Sequence, residues 1–202
     1  MKKVLITAFD PFGGEPVNPA LEAVMRLPDE IDGVTIIKKE IPTVFGKSAE
    51  ILCQALEQEK PDAVISVGQA GGRTHISIER VAINIDDARI PDNEGNQPID
   101  MPIVEGGPTA YFATLPVKAI IRDLIDAGIP TAISETAGTF VCNHLMYAAL
   151  HYAAEKQPDL KAGFIHIPYL PEQTLDKAKM PSMSADSVAD SLKVMVRTLK
   201  NS

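Results

Sequence analysis

Four short apolar runs constrain this chain more than any other feature: Lys3–Thr7 (K-V-L-I-T), Asp62–Val67 (D-A-V-I-S-V), Ile129–Ile133 (I-P-T-A-I) and Gly163–Ile167 (G-F-I-H-I). Each is too short for a globular helix and too continuous for a strand with one wet face, so each reads as a strand buried on both sides. Val34–Ile41 is strand-like as well, with Ile36 and Ile37 near its centre. Helical periodicity fills the gaps. Asn18-Pro19 is an N-cap followed by proline at the first helical position, opening a helix to about Leu27. Thr43 can cap a second helix carrying Ile51, Leu52, Ala55 and Leu56 on one stripe, and Leu115-Pro116 opens a third to about Asp126. A last helix after Ser182–Ser184 presents Val188, Leu192, Met195, Val196 and Leu199. Strands alternating with helices imply α/β: a mostly parallel sheet covered on both faces.

With 202 residues, and neither an internal repeat nor a linker, the expectation is one domain over 1–202. Nineteen basic against 27 acidic side chains give a net charge of −8, which argues against a nucleic-acid or anionic-membrane surface. No apolar run has the length of a membrane span. The opening Met-Lys-Lys precedes only Val4–Ile6, read as a first strand and not as an export signal. Two cysteines in different contexts then suggest a reducing, cytoplasmic setting.

The chemistry concentrates in S-E-T-A-G-T-F-V-C-N-H-L-M-Y, Ser134–Tyr147. A strand precedes it and a helix begins at about Asn143, so Cys142 sits at a helix N-terminus, where free N–H groups and the helix dipole favour a thiolate and an oxyanion. The alternative is a small buried hydrophobe, as Cys53 is read to be on the stripe of its own helix. His144 and His151 stand seven apart without other ligands, a poor metal pattern. His166 lies near the end of an apolar strand, where a ring needs a hydrogen-bond partner, whether as a core histidine or as a base. Ile76–Ile85 alternates with period two and follows the turn Gly68–Gly72, so those glycines do not open a phosphate-binding helix. Glu79 shares a face of that strand with Val81, Ile83 and Ile85 and needs a partner, His166 or a rival such as Arg80. Phe9 and Phe12 flank Pro11 on a strand-end loop, to line a site or to pad the core. Arg89–Pro116, rich in Pro, Gly, Asn and Asp, reads as a long surface excursion.

Three segments resemble the pyroglutamyl-peptidase I family of cysteine peptidases. They are T-A-F-D-P-F-G-G at Thr7–Gly14, G-Q-A-G-G-R-T-H-I-S-I-E-R-V-A-I-N at Gly68–Asn84, and I-S-E-T-A-G-T-F-V-C-N-H-L-M-Y at Ile133–Tyr147. G-F-I-H-I-P at Gly163–Pro168 resembles the family's histidine segment. Ala8 departs from the glycine usual in the family, a methyl that can shift the Phe9 loop slightly. The resemblance implies an α/β/α sandwich, commonly tetrameric, that removes N-terminal pyroglutamyl residues from peptides through a thioester, without metal or organic cofactor. The roles of nucleophile, acid–base and orienting carboxylate fall on Cys142, His166 and Glu79. It implies a lactam pocket of Phe9, Phe12, Thr43, Ile90, Phe140 and Val141, with Gln69 for polar contact and Arg89 at the oxyanion. A flat, uncharged lactam suits apolar walls with few amide partners. Two other classes fit the same frame: a nucleoside-phosphorylase-like transferase, which needs a phosphate site, and a non-catalytic ligand-binding module with an inert Cys142.

Overall fold

The computed structural model describes residues 1–202. Five strands build most of a seven-stranded sheet: β1 (Lys3–Phe9), β3 (Val34–Ile41), β4 (Ala63–Gln69), β8 (Thr131–Ser134) and β9 (Lys161–Ile167). A two-residue β2 (Glu30–Ile31) and β5 (Ile76–Glu79) complete it in the order β2-β3-β1-β4-β9-β5-β8. The centre is parallel. β2 runs antiparallel to β3, and β5 antiparallel to β9.

Every interior residue of β1 and β9 is buried, as expected of strands packed on both faces. α1 (Pro19–Met25), α3 (Val117–Asp126) and α5 (Ala185–Lys200) cover one face, with Ala20, Ile120 and Leu192 fully buried against Val4, Ile6 and Ile165. α2 (Lys47–Glu59) and α4 (Val141–Lys156) cover the other, packing Leu52, Leu56 and Leu145 on Leu5, Val64 and Phe164. Burying each such aliphatic side chain is worth about 1.5–3 kcal/mol against leaving it in water. The three layers are the α/β/α sandwich expected. Asn18 caps α1 by accepting from the Ala20 N–H at 2.9 Å, with Pro19 first in the helix.

Several local expectations are corrected. Thr43 does not cap α2: its N–H donates to Asp10 Oδ1 at 2.7 Å, and the helix starts after Gly46, whose φ of 70° places it in the left-handed region. Ile76–Ile85 is not one strand. The chain leaves the large sheet at Arg80, and β6 (Val81–Ile83) pairs instead with β7 (Ala110–Phe112) in a two-stranded sheet. That β7 lies inside the excursion of 89–116, which is therefore not wholly irregular. α4 begins two residues earlier than its apolar pattern indicates, so Cys142 is the helix's second residue. No helix is long and apolar enough to cross a membrane.

Candidate active site

Three neighbouring strands and one helix N-terminus bring the chemistry together. Gly68 of β4 is the register partner of His166 in β9, and His166 is in turn opposite Ser77 in β5. Side chains two apart on a strand share a face, so Glu79 follows Ser77 toward the histidine. Glu79 Oε1 accepts from His166 Nδ1 at 2.7 Å, with the glutamate 0% and the histidine 4% exposed. Proton donation by Nδ1 leaves Nε2 as the free acceptor of the ring. Glu79 therefore does not rest among Val81, Ile83 and Ile85, which lie beyond the break at Arg80. Arg80 is no rival either, since it pairs with Glu135 at 2.9 Å.

Cys142 arrives from the opposite side. Phe140 caps α4 in an extended conformation, so the helix begins abruptly and leaves its first N–H groups free. The sulfur lies against Gly68: a Cβ built there would stand 3.2 Å from Sγ. Only a residue without a side chain lets β4 pass beneath both the sulfur and the ring of Phe164. Cys142 Sγ and His166 line the same cavity of about 430 Å³.

The electrostatics differ from the thiolate expected at a helix N-terminus. Burial, followed by the nearby Glu79 carboxylate, pushes the Cys142 thiol up to about 12, although Arg73 and the residue's own N–H pull the other way. Burial also lowers His166, with Arg73 acting in the same direction and the Glu79 hydrogen bond opposing both. Desolvation disfavours each charge, which favours a thiol beside a neutral imidazole over the ion pair.

The walls of the cavity are partly those anticipated. Phe12, Gln69, Arg89, Ile90 and Phe140 line it, joined by Asp87, Gly138 and Thr139. Phe12 and Phe140 tilt together with ring centroids 6.4 Å apart, and Phe45 meets Phe140 edge-on at 5.3 Å. Phe9, Thr43 and Val141 are not on the wall. Phe9 belongs to β1, where it is 2% exposed and packs on Phe164 at 6.2 Å. Val141 is fully buried as the first residue of α4, facing the core beneath the cavity. The Thr43 hydroxyl donates to the Asp10 carbonyl, tying two loops together. Cys53 is half-buried on α2 and does not line this cavity, and its thiol is pushed up by burial.

Two features had not been read from the sequence. Asp92 folds the excursion by accepting from the N–H groups of Phe45, Glu94 and Asn96, so that Arg89 and Ile90 reach the cavity. Arg73 donates to the same Glu79 oxygen as His166, at 2.8 Å. Period-two alternation after Ile76 marks Glu79, whereas Arg73 sits in an aperiodic turn, and the one signal it carries is its place in a glycine-rich strand-end segment.

Residues 2–202 match the profile of the family described as pyroglutamyl peptidase. A pyrrolidone-carboxylate peptidase of Alkaliphilus oremlandii is 59% identical over 194 residues, 96% of this chain and 91% of its own. Another, from Brevibacillus brevis, is 57% identical over 199 residues, covering 98% and 93%. Among solved structures, pyroglutamyl peptidase I of Bacillus amyloliquefaciens superposes with a TM-score of 0.96 at 51% identity, covering 100% of this chain and 98% of that one. A mutant pyrrolidone carboxyl peptidase of Pyrococcus furiosus gives 0.95 at 47%, covering 98% of each. The chain belongs to the pyroglutamyl peptidase family.

Proposed function

We propose that the chain hydrolyses the amide bond after an N-terminal pyroglutamyl residue of a peptide, with Cys142 as nucleophile, His166 as acid and base, and Glu79 orienting the imidazole. The observation carrying these assignments is the 2.7 Å Glu79–His166 hydrogen bond, buried beside a cavity that Cys142 also lines. Family membership supports the substrate class independently.

A neutral imidazole beside a thiol sets the order of events. The Sγ–H proton passes to His166 Nε2 as sulfur bonds to the pyroglutamyl carbonyl carbon. The imidazolium so formed is stabilised by Glu79, which needs no protonation of its own. Free N–H groups in the first turn of α4, with Arg89 at the rim, face the developing oxyanion. His166 returns the proton to the departing amine as the C–N bond breaks, leaving a thioester. Water then gives a proton to His166 as its oxygen attacks the thioester carbonyl; the C–S bond breaks, His166 returns the proton to the Cys142 sulfur, and pyroglutamate is released.

Phe12, Ile90 and Phe140 supply apolar walls for the lactam, and Gln69 an amide partner. No carboxylate is needed for an α-amine, because a lactam has none. A homotetramer in a reducing cytoplasm belongs to the same reading. Exposed Phe112, Ile99 and Met101 support self-association, and two free cysteines suit that compartment. The experiment is a comparison of pyroglutamyl and glutaminyl anilides. Only the first should be turned over, because Phe12, Ile90 and Phe140 suit a flat uncharged lactam and a charged amine would lose its hydration against those apolar walls. Comparable kcat/KM for the two would reject this reading of the pocket.

A further inference from the structure

The least explained charge in the molecule lies against the Glu79–His166 pair. Arg73 sits in the turn joining β4 to β5, its N–H closing on the Ala70 carbonyl at 3.3 Å. Two glycines shape that turn. Gly72 has a φ of 88°, and a Cβ on Gly71 would lie 2.3 Å from the Tyr169 ring. So formed, the turn aims the guanidinium inward. One nitrogen donates to Glu79 Oε1 at 2.8 Å, and the other reaches the Thr136 carbonyl at 3.4 Å.

Glu79 has little else to hold its charge. Its Oε2 is buried and accepts no hydrogen bond, so both donors converge on Oε1. A carboxylate taken wholly out of water without a countercharge costs several kcal/mol. His166, neutral at rest, is a hydrogen-bond donor but no countercharge. Of the other charged groups around the centre, Arg80 pairs with Glu135, while Asp87 and Arg89 line the cavity and make no hydrogen bond or ion pair to Glu79. Arg73, with its side chain 27% exposed, keeps one edge in water while serving the buried oxygen. Thr136 belongs to the segment that leads into Cys142, so a single side chain ties the carboxylate to the approach of the nucleophile.

We infer that Arg73 is a positioning residue of this catalytic centre, whose guanidinium supplies the countercharge for buried Glu79 and anchors the Thr136 segment. The inference rests on the roles given above to Cys142, His166 and Glu79. Its consequence is a setting of the pH profile. Burial is the main cause that holds His166 low and Arg73 adds to it by disfavouring the imidazolium, so removing its charge moves His166 upward. The acid limb of kcat/KM then moves to higher pH.

The test measures kcat/KM against pH on a pyroglutamyl anilide for Arg73→Met, Arg73→Lys, Glu79→Gln and the double variant Arg73→Met/Glu79→Gln. Arg73→Met should displace the acid limb upward by about one pH unit, the lower end of what a neighbouring charge does. That is about tenfold in rate on the limb. Arg73→Lys, which keeps the charge, should return the limb toward wild type. In the Glu79→Gln background the guanidinium still faces the imidazole with no carboxylate between them, so its removal should raise the limb there as well. A folded Arg73→Met protein with the wild-type limb would overturn the inference. If that variant does not fold, the double variant, with neither charge left unpaired, decides: a limb that coincides with that of Glu79→Gln alone is equally fatal. Turnover by folded Cys142→Ala would instead remove the underlying catalytic assignments, a separate outcome.

Discussion

A single methyl group placed at Gly68 tests how tightly the centre is assembled. The Cβ of Gly68→Ala would fall 2.7 Å from Phe164 Cζ, 3.0 Å from Phe164 Cε1 and 3.2 Å from Cys142 Sγ. The first of these distances does not occur for a real Cβ, so something must move. Phe164 has no room to retreat: it is fully buried, with Phe9 at 6.2 Å and the His166 ring at 4.9 Å. Overfilling such a site costs about 1–3 kcal/mol of stability. The displacement is shared among the phenyl ring, the imidazole and the sulfur, and a misplacement of about 1 Å at a reacting atom costs about 10²-fold in rate. Most of the loss should appear in kcat, because Phe12, Ile90 and Phe140, the apolar walls, lie away from the new methyl. The assay is kcat and KM on a pyroglutamyl anilide, with thermal unfolding of the same preparation. Wild-type kcat together with an unchanged Tm would refute the close approach of β4 to Cys142 Sγ.

Other expectations follow from the same geometry. Glu79→Gln keeps one hydrogen bond to His166 and loses the charge that stabilises the imidazolium, so kcat/KM should fall by about two to four orders of magnitude. Alkylation of its Cys142 by iodoacetamide near neutral pH should slow in parallel, and near-normal values of both in folded protein would exclude Glu79 from the centre. The Cys142 thiol, pushed up to about 12 in the fold from 9.0, favours the folded state fully below pH 9.0 and loses that contribution as pH rises toward 12. The gap in Tm between wild type and Cys142→Ser should therefore change steadily above pH 9.0, to the disadvantage of wild type; parallel Tm profiles would contradict it.

Much of this could be read from the chain because the informative residues sit in regular elements. Val34–Ile41 forms a strand with those ends, and Asn18-Pro19 starts α1, since local sterics and capping decide such features. Cys142, His166 and Glu79 stood out as reactive or polar groups in otherwise apolar surroundings, and the fold gathers them at one edge of the sheet. What stayed hidden depends on tertiary geometry. Alternation continues through Arg80, yet the strand is cut there because the Arg80 N–H pairs with the Ser134 carbonyl while its own carbonyl accepts from Ala113. Phe9 and Phe12 are alike in sequence, and only the extension of β1 to residue 9 sends one ring into the core and leaves the other on the cavity. Arg73 has no periodic signal because it sits in a turn, and its partner is chosen by the fold of Gly71 and Gly72. The helix dipole suggested a thiolate, and the burial that reverses this preference is a property of the packed cavity.

Hydrolysis of a pyroglutamyl anilide by wild type, Cys142→Ala and Cys53→Ala, each shown to be folded by circular dichroism, bears most directly on the central assignment. Turnover should vanish in Cys142→Ala and persist in Cys53→Ala, whose side chain lies on α2 and off the cavity. Substantial turnover by folded Cys142→Ala would contradict the account, for no other thiol reaches the cavity beside His166.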